Sequence, residues 1–168
     1  MATTLISIED YLRIDSKPNC EYVRGVLKER SMPEWDHAAW QSALLQWFSQ
    51  HKLEWGIYAF PELRARVDTN QFRIPDVAIV SRQAPRERFL THAPLAVFEI
   101  LSPGDSMADL LEKLEAYEAM GIPAIWVIDP GKPVYSRYTQ GNLVEATVFE
   151  LPGTNFTVPI SEIEALVE

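Results

Sequence analysis

Glu99 constrains the chain more than any other residue. It lies in Leu95-Ala-Val-Phe-Glu-Ile-Leu101, where every other side chain is apolar. Strand alternation places Glu99 on one face with Val97 and Leu101 and gives Phe98 and Ile100 the other, so neither face is left for water. A continuous apolar run of this length belongs in the middle of a sheet covered on both sides. A carboxylate carried into such a sheet must be neutralised, paired with a cationic side chain, or bound to a cation, because an unpaired buried charge is too costly to keep. Asp76 repeats the pattern at the head of Asp76-Val-Ala-Ile-Val80, directly after Pro75. Two acids on neighbouring buried strands suit a hard divalent ion, since Mg²⁺ takes one or two carboxylates and completes its octahedron with water, carbonyls or phosphate oxygens. A structural salt bridge is the other reading these residues leave open.

The rest of the chain builds one α/β domain over residues 1–168 around those strands. No repeat, low-complexity segment or Pro/Gly/Ser-rich linker divides it, and a 168-residue chain with 47% hydrophobic residues can bury a sizeable core. Ser7-Ile-Glu-Asp10 has capping-box spacing and opens a short helix through Tyr11. The stretch Glu21–Arg30 alternates about Gly25 and predicts a hairpin. From Asp36, a candidate N-cap, to Leu53 the residues Trp40, Leu44, Trp47 and Phe48 recur at helical spacing. That spacing assigns both tryptophans to a buried stripe rather than to base stacking. Strands are predicted at Gly56–Phe60, Glu62–Val67, Asp76–Val80, Leu95–Leu101 and Ala124–Ile128, with a helix from Asp105 to Met120 stopped by Gly121. Val134–Tyr138 and Leu143–Phe149 read as a last hairpin around Gln140-Gly141, followed by a short helix after Pro159. Strand, helix, strand from Leu95 to Ile128 is a βαβ unit, so the fold class is α/β with a mixed sheet flanked by helices and hairpins at both ends.

Composition removes several functions. No apolar run approaches the roughly 20 residues of a membrane span, and MATTLISIEDYL lacks a basic start, which predicts a cytoplasmic protein. The one cysteine, Cys20, provides neither an internal disulfide nor a cysteine-rich zinc site. GxGxxG, GxxxxGK[ST] and G-x-S-x-G are all missing, and His37, His51 and His92 do not fall at metal-ligand spacing. A formal charge of −9 opposes non-specific binding to nucleic acid. The segment from Arg64 to Arg88 reverses it locally, with six arginines against Asp68, Asp76 and Glu87. Arg64, Arg66 and Arg73 are therefore the candidate nucleic-acid contacts, the alternative being a solvated basic face.

Three more residues are candidates for the site. Lys113, on the helix after Glu99, is either an i, i+4 partner of Asp109 or a catalytic cation. Glu21 starts the first strand and by itself reads as a common exposed strand-edge glutamate, a site role being the alternative. His37 falls in the first turn of the long helix, where a surface or capping role is the alternative.

The order Pro75-Asp76, Glu99-Ile-Leu-Ser-Pro103, then Lys113 and Tyr117 on a helix, resembles the Uma-type restriction endonuclease family of the PD-(D/E)XK nuclease superfamily. Cys20-Glu21-Tyr-Val-Arg-Gly25 is similar to that family's Y-E-x-x-x-G element, His37 falls where members carry a histidine, and Gly121–Pro130 resembles its G-V-x-x-Y-W-I-V-D-P strand. The resemblance implies a restriction-endonuclease-like core and metal-dependent phosphodiester hydrolysis of nucleic acid, DNA being the expected form. It implies Mg²⁺, with Mn²⁺ as a substitute, on Asp76, Glu99 and the backbone carbonyl of Ile100. Lys113 and Glu21 join them as catalytic residues, with His37, Tyr117 and Asp109 supporting from behind.

The superfamily lysine stands two residues after the glutamate, where this chain has Leu101, so the resemblance implies that Lys113 replaces it from the helix. Cys20 and Arg24 also depart from the pattern, standing for a tyrosine and an acid. Two other classes stay open: a nuclease-fold binding module that has lost cleavage, and an interaction protein, such as a homodimer, in which Glu99 and Lys113 form a buried salt bridge.

Overall fold

The strand–helix–strand segment around Glu99 lies at the centre of the architecture. A computed structural model describes residues 4–14 and 20–168. The chain begins with α1 (Ile8–Arg13), the hairpin β1 (Cys20–Val23) and β2 (Val26–Glu29), α2 (Trp35–Gln50) and the single turn α3 (Lys52–Trp55). It continues through β3 (Ile57–Pro61), β4 (Ala65–Asp68), β5 (Gln71–Arg73), β6 (Val77–Ser81), β7 (Ala96–Ile100), α4 (Met107–Met120) and β8 (Ile125–Asp129). It ends with β9 (Val134–Thr139), β10 (Asn142–Glu145), β11 (Val148–Glu150), β12 (Thr157–Pro159) and α5 (Ile160–Glu164).

Six strands form the main sheet in the order β10-β9-β8-β7-β6-β3. β7 and β8 are parallel and joined by α4, while the other neighbours are antiparallel, which makes the sheet mixed as the sequence predicts. α2 covers one face with Trp40, Leu44, Trp47 and Phe48, packed with Ile79, Phe98, Ile100 and Trp126. α4 covers the other with Leu110, Leu114 and Tyr117, packed with Val80, Val97 and Val127. The two faces of β7 therefore divide as alternation requires, and Glu99 is directed at α4. Trp40 and Trp47 are core residues, whereas Trp35 at the start of α2 is exposed. Among the described residues no helix is long and apolar enough to cross a membrane.

A second sheet, β2-β1-β5-β4, carries the first hairpin. Tyr11 of α1 stacks on Tyr22 and meets Phe72 at a tilt, tying the helix to the sheet. The hairpin turns at Arg24-Gly25 with φ of 50° and 88°, and two positive-φ residues match the twist of the flanking strands. A Cβ on Gly25 would meet Leu5 Cδ2 at 3.1 Å. Gly25→Ala is expected to cost about 1 kcal/mol or more, read as a lower urea midpoint at unchanged slope.

Several boundaries differ from the sequence reading. α2 starts at Trp35 with Glu34 in the cap position, so Asp36 is a first-turn residue, favourable to the helix dipole but not the cap. α4 starts at Met107 because the Ser106 hydroxyl caps the Asp109 N–H, while the Asp105 carboxylate is taken by the Ser31 hydroxyl and the Ser102 N–H. Leu143–Phe149 is not one strand. The Ala146 N–H donates to the Tyr135 carbonyl, but the Thr147 carbonyl accepts from Ile160, which turns the chain out of the main sheet and pairs β11 with β12. Residues 62–64 leave the strand pattern, with Glu62 held at φ 51°. β5 and β12, three residues each, are too short to show a period.

Candidate active site

Antiparallel pairing of β6 with β7, with Val77 opposite Phe98, brings Asp76 to the end of β7 where Glu99 and Ile100 stand. The Asp76 carboxylate accepts the Ile100 N–H at Oδ2 (2.8 Å), a bond that replaces a ladder contact and locks the acid across the strand end. His37 Nε2 lies 3.3 Å from the same oxygen, and Arg30 Nη2 donates to Oδ1 at 2.6 Å. The backbone is fixed as well, since the Asp76 carbonyl accepts from Gln41 Nε2 of α2 (2.9 Å) and from the Glu62 N–H (3.3 Å).

Glu99 meets one face of α4. Lys113 and Tyr117 are four residues apart and so share that face. The Tyr117 hydroxyl donates to Oε1 at 2.8 Å and the Lys113 ammonium to Oε2 at 2.9 Å. Lys113 also donates to the Ile74 carbonyl (2.9 Å) and lies 2.8 Å from Glu21 Oε1. Its three N–H groups are thus committed. Glu21 accepts the Ile74 N–H (2.8 Å) and Arg73 Nη1 (3.1 Å), and it is buried rather than exposed at a strand edge. Asp109 does not pair with Lys113 but with Lys28, at 3.1 Å.

These groups line a cleft of about 440 Å³. Seven carboxylates and four Lys or Arg side chains border it, a formal surplus of three negative charges. Burial pushes the Glu99 carboxyl up to about 7; Lys113 opposes the shift, but Asp76 and Glu21 add to it. Burial pulls the Lys113 ammonium down, yet Glu21, Glu99 and Asp76 outweigh it and hold it above its ordinary range. Burial also disfavours charge on Asp76 and Glu21. His37, Lys113 and Arg30 more than compensate at Asp76, and Lys113 and Arg73 do so at Glu21, keeping both carboxyls below their ordinary values. His37 moves upward, since Asp76 overcomes its burial.

Among the described residues no three His, Cys, Asp or Glu side chains form a ready-made metal cage. Two hard carboxylates at one end of the sheet nevertheless fit an ion that keeps most of its water, and the negative surplus of the cleft lining favours added positive charge there. Asp76, Glu99, Ile100, Lys113, Glu21, His37, Asp109 and Arg73 all line the cleft, and Tyr117 is buried behind Glu99. Arg64 and Arg66 are not in its lining. Arg64 covers the Tyr11 ring, and Arg66 covers Phe72 while donating to the Thr69 carbonyl.

The sequence reading missed Arg30, Glu62 and Lys28, all in the cleft wall. The hairpin register held a signal for two of them. Glu21 is paired with Lys28, so both side chains leave the same face, and Arg30 follows two residues later.

The Uma2 family, described as "Putative restriction endonuclease", matches residues 8–163, a span that includes every residue of the cleft named above. The chain belongs to the Uma2 family. Its fold is that of a solved structure described as a "putative nuclease belonging to DUF820" from Anabaena variabilis ATCC 29413, at 22% identity and a TM-score of 0.83, covering 97% of this Uma2 chain and 99% of the other. The DrdV–DNA complex is also similar over 76% of the chain and 11% of its own, at 14% identity and a TM-score of 0.42, too slight a likeness to carry an argument. No curated protein matches.

Proposed function

We propose that this Uma2 chain is a nuclease that hydrolyses phosphodiester bonds of DNA with a divalent cation, Mg²⁺ or Mn²⁺, in the cleft. The observation that carries the reading is the convergence of Asp76 and Glu99, from two buried strands, on one acidic cleft. Asp76, Glu99 and the Ile100 carbonyl would hold the ion, which supplies a Lewis acid for the phosphoryl oxygen and a lower pKa for an attacking water. Lys113 stays protonated and has no donor to spare, so it offsets charge growing on the phosphoryl group rather than taking a proton. Glu21, itself paired with Arg73, holds Lys113 in register. Tyr117 fixes the Glu99 rotamer from behind, and His37 does the same for Asp76. DNA cleavage in Mg²⁺ that stops in EDTA is the expected result. DNA binding without cleavage in either metal would point to a binding module, a reading favoured by Leu101 where the superfamily has lysine.

The raised Glu99 pKa gives a pH test on the metal-free protein. Between pH 4.5 and about 7 the unfolded chain gives up this proton while the folded chain keeps it, so the contribution of Glu99 to stability falls as pH rises through that window. The full loss is up to about 3 kcal/mol. Glu99→Gln lacks this loss. In EDTA, urea titrations are expected to show the variant close to the parent at pH 5 and more stable than the parent at pH 8. A salt bridge that exists only to hold the fold predicts the opposite, a variant less stable at pH 8.

A further inference from the structure

Arg30 follows β2 and spans the cleft from floor to mouth. Its guanidinium donates to Asp76 Oδ1 at 2.6 Å and stands 3.1 Å from Glu62 Oε1. The two anchors differ, since the Asp76 side chain is 6% exposed and that of Glu62 37%. Oδ2 of Asp76 already holds the Ile100 N–H and the His37 ring, whereas Oδ1 meets Arg30. A guanidinium never gives up its proton, so it competes with any other cation for that oxygen. Glu62 is itself unusual. Its φ of 51° is left-handed, a conformation that costs a non-glycine residue free energy, and its N–H is bonded to the Asp76 carbonyl. The strained backbone thus keeps the outer anchor of Arg30 beside the inner one.

We propose that Arg30 is a phosphate-binding residue that Asp76 restrains until a divalent cation takes the carboxylate. Once Asp76 is ligated, Glu62 retains the guanidinium near the cleft mouth, and the freed Nη2 edge is turned over to a phosphodiester. The planar fork matches two non-bridging phosphate oxygens. Electrostatics act in the same direction. The cleft's own surplus of carboxylates repels a polyanion, and both the ion and the released arginine counter it. The inference rests on the metal-dependent reading of the cleft and adds to it an order of events, metal before DNA.

The test measures two affinities in the parent, Arg30→Gln, Arg30→Lys and Asp76→Asn: Mn²⁺ by calorimetry without DNA, and a labelled, cleavage-resistant phosphorothioate DNA duplex by anisotropy in Mn²⁺. Arg30→Gln removes the competitor and is expected to bind Mn²⁺ about tenfold more tightly, while its DNA affinity falls about tenfold or more. Arg30→Lys keeps the charge without the fork and is expected to fall between parent and Arg30→Gln in both. A structural role would weaken both affinities together, through folding. Mn²⁺ affinity that is unchanged or lower in Arg30→Gln, or unchanged DNA affinity, overturns the proposal. If Arg30→Gln does not fold, the Arg30→Lys values decide by the same signs. Asp76→Asn separates the two levels, because parent-like Mn²⁺ binding in that variant removes the metal-dependent reading itself, whereas loss of Mn²⁺ there with a null result at Arg30 removes only the role of Arg30.

Discussion

Asp76→Asn is expected to remove measurable Mn²⁺ binding and to lower DNA cleavage on the order of 10²–10³-fold or more. The variant is close to isosteric, and its amide oxygen can still accept the Ile100 N–H that places residue 76 across the end of β7. What it loses is the anion. With one carboxylate left, the field that holds a hard cation is roughly halved, and Arg30 is left with Glu62 alone. Stability is a weaker readout here, because Asp76 also neutralises Arg30 and His37 in the metal-free protein. Calorimetry is therefore the deciding measurement, and undiminished Mn²⁺ affinity would contradict the assignment.

Lys113→Ala is expected to produce a large loss of stability, roughly 3–5 kcal/mol in EDTA. It leaves Glu21 and Glu99 facing each other without their shared cation and the Ile74 carbonyl without its donor. Glu99 already titrates near 7, so protonating it relieves part of the damage, and the loss should be smaller at pH 5 than at pH 8. Mn²⁺ should restore part of the stability by binding the folded state, while cleavage stays lost. Denaturant titrations in EDTA and in Mn²⁺, paired with cleavage assays, check this. Cleavage at the parental rate would remove Lys113 from the site. Leu101 lines the cleft and is only partly buried, so Leu101→Lys in the Lys113→Ala background is expected to return a fraction of the activity.

Glu99 and Asp76 were legible because one interrupts an apolar strand and the other heads one, and a covered sheet leaves no solvated place for them. Lys113 and Tyr117 followed from helical spacing once the family pattern had drawn attention to the helix. Arg30 and Glu62 were not legible in the same way. Arg30 reads as the polar end of a hairpin, and its partner Asp76 is 46 residues away. Glu62 lies in a stretch whose composition suggests a strand but whose backbone turns left-handed to meet Asp76. Arg73 was visible as a charge and placed among the surface contacts, yet it is 1% exposed and neutralises Glu21 from within. The fold shows the same division. Long elements with a clear period were readable, whereas β5 and β12 exist through pairing with distant strands, a tertiary effect that three residues cannot announce.

Anomalous diffraction from crystals soaked in Mn²⁺ tests the central claim most directly. The account predicts a manganese peak within coordination distance of both the Asp76 and Glu99 carboxylates, with the Arg30 guanidinium no longer on Asp76. A fully soaked crystal with no peak between those two residues, and with Lys113–Glu99 and Arg30–Asp76 intact, would contradict it.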